Sequence, residues 1–471
     1  MAPFSFYWHD YETFGVVPRR DRPAQFAGVR TDADLNEIEA PVTVYCRPSP
    51  DMLPVPEACL ITGITPQVCE QRGITERAFA EAIETQLARP GTVGCGYNSL
   101  RFDDEVTRFL FWRNLIDPYA REWQNECGRW DVLDTVRCAW ALRPEGLQWP
   151  THHDGKPSFR LEDLTAANGL PHEAAHDALS DVRATIALAR LVKGTQPRLW
   201  AHCLKMHRKQ AVIDEMGVGR PFVHLSGRYP ADRGCMAVVW PLAPHPNFKN
   251  EIIVWDLAHD PSELFTLNAQ AIRERLFTAA DALPAGQTRL AIKTIHLNKS
   301  PIVIGNLKTL GGATTRWSID IDQALRHADI AARKANSMAG IWPEVYERAP
   351  PAEAVDVDED LYGGFLDNDD RRALQRLRAL PPERLAERWP AFNDPRLAEL
   401  LLRFRARNHA ETLSAADRAQ WLAHCRKRWQ AAPAWLERIG ALEADADERG
   451  RGILAALRAW WPSLQDTLNA A

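Results

Sequence analysis

At 471 residues the chain is too long for one core, and the usual 100–200 residues per domain gives roughly three. Hydrophobic residues at 45% and charged residues at 25% are ordinary globular values, which exclude collagen-like, coiled-coil and wholly disordered chains. A net charge of −5 means that any nucleic-acid partner must be met by a local basic groove, because the molecule as a whole repels a polyanion at long range.

Met1 to Asp10 has neither a basic n-region nor a long apolar h-region, and no stretch approaches the roughly 18 apolar residues that cross a bilayer. A cytoplasmic protein with no membrane association is expected. Residues 4–8, 25–30 and 42–46 are aromatic or β-branched and bounded by Pro, Asp or Gly, so they read as strands, with 93–97 a fourth. Residues 76–87 have helical spacing in Phe79, Ile83 and Leu87, and residues 103–115 repeat it in Val106, Phe109, Leu110 and Trp112. Strands interleaved with helices predict an α/β domain around a mixed sheet.

Past residues 195–198 the character shifts to β-type runs at 222–225, 236–240, 252–255 and 290–292, a small β-rich domain. Around Pro350 an acidic stretch, Glu353, Asp356, Asp358, Glu359 and Asp360, reads as a solvated linker, and helices follow it. Their stripes, Leu397, Leu401 and Phe404, then Trp421, Cys425 and Trp429, read as the core face of a bundle. Nine cysteines without a C-x-x-C pair fit neither a disulfide framework nor a structural zinc site, and are expected as reduced, buried thiols. Seventeen tryptophans are more simply core than base-stacking platforms.

The chemistry concentrates in a few acids. In Trp8-His9-Asp10-Tyr11-Glu12-Thr13, Asp10 and Glu12 stand at i and i+2, so a strand would send both carboxylates from one face. Facing acids repel unless a cation sits between them, and Mg²⁺ or Mn²⁺ prefers such oxygen ligands. Alone, the pair reads more simply as two exposed acids at a strand end. Asp103 and Asp104 lie where a turn enters a helix, fit to cap it or to bind metal. In Ala175-His176-Asp177-Ala178-Leu179-Ser180-Asp181, His176 and Asp181 overlook one point at the start of another helix.

Asp10-x-Glu12, Asp103 and His176-x4-Asp181 resemble the three motifs of the DEDDh 3′→5′ exonucleases, and residues 62–65 (Thr-Gly-Ile-Thr) resemble a recurring segment of that family. The resemblance is closer still to the bacterial exodeoxyribonuclease I family. It is carried by residues 9–15, 21–26, 101–108, 141–146 and 158–162, and in the tail by 361–365 (Leu-Tyr-Gly-Gly-Phe) and 404–408 (Phe-Arg-Ala-Arg-Asn). It is dense in the first segment, patchy in the middle, with small deletions around residues 211–220, and intermittent in the tail.

This resemblance implies a ribonuclease H-like exonuclease domain over 1–196, an SH3-like domain over 197–350 and a C-terminal α-helical domain over 351–471. It implies two Mg²⁺ ions, or Mn²⁺ in their place, held by Asp10, Glu12, Asp103 and Asp181. The two-metal chemistry itself activates water and stabilises the departing oxygen. His176 would act as general base, with Glu12 also in the catalytic set. A strand site should mix cations with aromatics, and the matching positions are Glu12, Thr13, Arg108, Tyr119, Trp123, Arg137, Arg143 and Arg160, with Arg108 and Arg160 the first choices for phosphate. Arg289, Lys293, Lys299, Lys308 and Arg316 would form a basic wall. The implied activity is processive 3′→5′ degradation of single-stranded DNA to 5′-mononucleotides by a monomer in DNA repair or recombination. The implied partner is the acidic, Phe-ending tail of the single-stranded DNA-binding protein, met by Arg143 and Arg316. Two alternatives remain at this point: a relative acting on RNA 3′ ends or in proofreading, and a non-catalytic strand-binding scaffold.

Overall fold

Alternation is missing from the first strand because both of its faces are covered: β1 (Ser5–Thr13) is buried at every position but Asp10. It pairs antiparallel with β2 (Pro23–Thr31), which pairs antiparallel with β3 (Val42–Tyr45), while β4 (Thr92–Gly96) lies parallel on the other side of β1. The order β3-β2-β1-β4 is the mixed sheet the sequence predicts. The computed structural model describes residues 4–172, 176–348, 355–387 and 392–469; Ala175, Glu353 and the boundary expected at 350/351 lie outside them.

Helices α1 (Pro56–Thr62), α2 (Pro66–Arg72), α3 (Glu76–Leu87) and α4 (Asp103–Arg113) follow the strands. The Thr75 side chain caps α3 by accepting from the Ala78 N–H. The apolar faces of α3 and α4 meet the sheet in a core of Phe26, Phe79, Ile83, Val106, Leu110 and Phe111. Helices Asn368–Arg378, Arg396–Asn408, Ala415–Arg428, Ala432–Glu443 and Glu448–Asn469 belong to the same compact unit as β1–β4. Leu397, Leu401 and Phe404 pack on Phe109 and Trp112 of α4, and Ile439, Leu454 and Leu457 pack on Phe14, Cys59 and Cys69. The expectation of a solvated linker fails: Asp358 is 4% exposed and Leu361 joins the core with Phe109 and Trp112. Arginines, which sequence spacing places far away, neutralise the buried acids.

A second compact unit contains residues 129–171 and 187–352. Its elements run from β5 (Gly128–Asp131), α5 (Val132–Leu142) and α6 (Leu161–Ala167) through α7 (Ala178–Thr195), which begins in the first unit, to α8 (Pro197–Lys205) and α9 (Lys209–Met216). An antiparallel sheet follows: β6 (Phe222–Leu225), β7 (Met236–Pro244), β8 (Glu251–Asp256), β9 (Ile292–His296) and β10 (Ile302–Ile304), in the order β10-β6-β7-β8-β9. The last run begins at Ile292 and not at Leu290, whose N–H bonds the Arg275 carbonyl away from the ladder. All nine cysteines are buried and free. No helix among the described residues is long and apolar enough to cross a membrane.

Candidate functional site

Pairing of β1 with β4 stops at Trp8 and Cys95, so Asp10 and Glu12 stand past the parallel ladder at the carboxyl ends of both strands. That is where parallel strands leave a crevice. A bulge between Glu12 and Thr13 breaks the register with β2 and turns the strand just after Glu12. Asp103 is the first residue of α4, and its Oδ1 accepts the Tyr11 N–H at 3.1 Å, directly between the two β1 acids. The Tyr11 hydroxyl meets Thr107 Oγ1 at 2.9 Å one helical turn on, a second link between α4 and β1.

The third stretch arrives at the start of α7. The Asp177 side chain caps it, accepting the Ser180 N–H at 3.1 Å. His176 lies just before, with φ at 65°, a left-handed conformation that His adopts more readily than branched residues. Its N–H donates to Asp181 Oδ2 at 3.1 Å. Ligand atoms of Glu12, His176 and Asp181 all lie within 4.8 Å of one another.

The electrostatics identify what this arrangement lacks. Burial pushes the Asp10 carboxyl well above its ordinary range, and Asp103, Glu12, Asp181 and Asp177 push it further. Glu12, 7% exposed, is pushed up to about 8, first by burial and then by Asp181, Asp103 and Asp177. Every charge moving these two groups is another carboxylate, so as free anions they repel without compensation. Hard oxygen donors crowded in this way fit one or two Mg²⁺ or Mn²⁺ ions. Asp10, Glu12, Asp103 and Asp181 could hold them. Asp104 could not: it faces Arg121 at 2.5 Å, both side chains buried, which separates the two adjacent acids by role.

The strand-binding candidates divide. Trp123 is 67% exposed, and Tyr119 lies 6.0 Å from the ring of Phe365. The Thr13 hydroxyl donates to the Gly15 carbonyl at 2.6 Å. Arg108, a first choice for phosphate, is instead buried: Nε and Nη2 fork onto Glu122 at 2.7 and 2.9 Å, and Nη1 reaches Glu105 and the Tyr362 hydroxyl. Its guanidinium also lies over Tyr119, 5.2 Å from the centroid, so in this structure it braces that ring. In the second unit Arg160 is exposed, Arg137 pairs with Asp134 at 2.7 Å, and Arg143 bonds the Leu142 and Thr309 carbonyls at 2.5 and 3.1 Å. Of the basic wall, Lys293 bonds the Arg228 carbonyl, and Arg316 bonds the Trp140 carbonyl, its guanidinium lying over the Trp140 and Trp317 rings.

Two features escaped the sequence reading. His172 Nε2 lies 2.5 Å from Asp181 Oδ1, so the backbone N–H of one histidine and the ring of another hold that carboxylate. The repeat His172-x3-His176 could have suggested it. Tyr362 and Phe365, 57% and 82% exposed, extend the aromatic surface that includes Tyr119, although nothing in their local spacing brings them to α4.

Comparison with known proteins matches three family descriptions along the chain: Exonuclease over residues 7–189, Exonuclease I SH3-like domain over 207–348 and Exonuclease I C-terminal domain over 355–464. The exodeoxyribonuclease I of Haemophilus influenzae is 41% identical over 461 residues, covering 95% of this chain and 96% of that protein. Among solved structures, an exonuclease I from Methylocaldum szegediense superposes with a TM-score of 0.92 at 48% identity, over 98% of this chain and 99% of that one. The zinc-bound form of an E. coli exonuclease I complex with single-stranded DNA gives 0.91 at 40% identity, with 98% and 99% covered.

Proposed function

The chain belongs to the exodeoxyribonuclease I family and is a nuclease acting on single-stranded DNA, and we propose that it works 3′→5′ with two divalent cations, Mg²⁺ or Mn²⁺. The observation that carries the metal reading is the meeting of Asp10, Glu12, Asp103 and Asp181 with no positive charge among the groups that shift Asp10 and Glu12. When bound, the ions would supply charge neutralisation at the phosphoryl oxygens and an acidified water. The protein's own residues do the rest. The four carboxylates would hold the ions, and the Tyr11 N–H keeps Asp103 turned toward β1. His176, exposed beside Glu12 and Asp181, takes the proton of the attacking water as general base and releases it to solvent.

Trp123, Tyr119 and Phe365 are assigned to base stacking, and Arg160 to phosphate. Arg108 is assigned to positioning Tyr119, since Glu122, Glu105 and Tyr362 occupy four of its donors. Domain boundaries near 196 and 350 accommodate all three family matches. The acidic tail of the single-stranded DNA-binding protein is assigned to a pocket of about 360 Å³ lined by Cys138, Leu142, Arg143, Arg198, His202 and Ile304, where Arg143 is the cation for a terminal carboxylate.

One digestion tests the main reading. A single strand labelled at either end, with and without EDTA, should lose its 3′ label first as mononucleotide, and only without chelator. Loss of the 5′ label first, or activity persisting in EDTA, overturns it. Matched DNA and RNA oligomers in the same assay should show preference for DNA.

A further inference from the structure

The acidic stretch 355–365 runs along the first unit in a way its composition does not suggest. At one end, Asp358 receives three guanidiniums: Arg407 through Nη1 and Nη2, Arg403 Nη1 at 3.1 Å and Arg22 Nη2 at 3.3 Å. Arg22 lies at the foot of β2, and its carbonyl accepts the Phe14 N–H, two residues beyond Glu12. Arg22 Nε and Nη1 are buried without partners among the described residues, so Asp358 and Asp51 alone fix that guanidinium. Glu359 adds a contact at 3.6 Å to Arg19 in the same β1–β2 connection.

The same stretch also grips α4, at Val357 beside Asp358 and again at Tyr362. The Trp112 indole N–H donates to the Val357 carbonyl at 2.7 Å. The Tyr362 hydroxyl accepts from Arg108 at 3.0 Å and donates to Glu105, in the turn that begins with Asp103. The Tyr362 ring meets Phe109 edge-on at 5.6 Å, and Arg396 binds the Asp360 and Gly364 carbonyls.

We propose that residues 355–365 are a positioning strap that sets the spacing between α4, which carries Asp103, and the end of β1, which carries Asp10 and Glu12, with Asp358 and Tyr362 as its anchors. The proposal rests on the reading of those acids as metal ligands. A constellation of metal ligands tolerates errors of only about half an ångström. The direct polar links between α4 and β1, the Tyr11 N–H and its hydroxyl, both lie near the first turn of α4, and farther along, the helix is held by the packing of Leu110 and Phe111 in the sheet core and by Arg113, which forks onto Glu76. The strap holds that helix at Glu105, Arg108 and Trp112 and ties it to the residues that follow Glu12.

The test is Mn²⁺ binding by electron paramagnetic resonance to the full chain without DNA, for wild type, Asp358→Asn and Tyr362→Phe. Tyr362→Phe keeps the ring and removes only the hydroxyl, at an exposed position, so it folds even where Asp358→Asn does not. The expected result is Mn²⁺ affinity weakened about tenfold by Asp358→Asn and about threefold by Tyr362→Phe, with turnover restored at saturating Mn²⁺. Variants that bind Mn²⁺ as wild type does while melting earlier would make the strap merely structural and overturn the proposal. Wild type failing to bind Mn²⁺ would instead overturn the metal reading beneath it.

Discussion

Among its described residues the first unit holds two clusters of acids whose ligand atoms are close enough to share an ion, and they have opposite physics. Glu12 and Asp181 meet His176, while Asp51 and Asp358 meet His424. Around the first cluster the charges acting on Asp10 and Glu12 are all negative, and both groups are raised. Around the second, Arg407 and Arg22 hold Asp51 and Asp358 below the usual carboxylate range despite full burial. Proximity of ligands is therefore a poor criterion for a metal site. The deciding property is whether the chain already supplies the countercharge: where it does, a buried ion pair results, and where it does not, the carboxylates take up a proton or a cation.

The largest effect that sharpens this contrast falls on the first cluster. Asp10→Ala should abolish Mn²⁺ binding and lower turnover by at least about 10³-fold, with little loss of stability, because it removes repulsion along with the ligand. His176→Ala should retain Mn²⁺ binding and lose about 10²–10⁴-fold in turnover. Calorimetric Mn²⁺ titration beside single-turnover digestion checks both, and normal turnover by His176→Ala would remove it as the base.

The second cluster should respond in the reverse sense. Asp358→Ala leaves Arg22 and Arg407 facing only Asp51 and should cost about 3–5 kcal/mol of stability in urea unfolding. A variant as stable as wild type would show that the cluster does not behave as a compensated ion pair.

The two clusters also predict opposite pH slopes in the metal-free protein. Glu12 is pushed up to about 8 from an ordinary 4.5, so the folded state binds its proton more tightly than the unfolded chain, and stability falls as pH rises between those values. Asp51 and Asp358 are lowered, so their contribution is complete above about pH 4, the ordinary carboxylate range, and is lost on acidification. Melting temperatures in EDTA should therefore peak in the mildly acidic range. Mg²⁺ should flatten the alkaline decline and leave the acid limb unchanged.

How much of this was legible follows from the range of each interaction. The convergence of the candidate acids could be read because strand spacing, a helix start and a recognisable motif are local signals: Asp10 and Glu12 stand at i and i+2 of one strand, a relation contained in three residues. The strands and the stripes Leu397, Leu401 and Phe404 were legible for the same reason. The acidic stretch was misread because its partners, Arg22, Arg403 and Arg407, lie as much as 336 residues away, and composition alone makes Asp356-Val357-Asp358-Glu359-Asp360 look solvated. Arg108 shows the opposite case: its place on the helix that begins with Asp103 suggests a phosphate contact, and a partner the sequence does not announce, Glu122 fourteen residues on, holds its guanidinium in the structure.

The smallest effects come from the histidine beside each cluster. His172 lies 2.5 Å from Asp181 Oδ1, and His424 lies 3.3 Å from Asp51 Oδ2. Both pair an imidazole Nε2 with a carboxylate oxygen, the first at closer range, and their surroundings differ in charge. Removing a group that orients a metal ligand typically costs 10–100-fold, and His172→Ala should fall near the lower end, about tenfold in Mn²⁺ affinity, because the His176 N–H still holds the other oxygen. His172→Gln, which keeps a donor, should recover most of it. His424→Ala removes one hydrogen bond from an Asp51 that Arg22 and Arg407 already neutralise, and should cost about 1 kcal/mol of stability with no change in Mn²⁺ affinity. If His424→Ala weakened Mn²⁺ binding as much as His172→Ala does, metal affinity would follow the rigidity of the whole unit and the functional separation of the two clusters would fail.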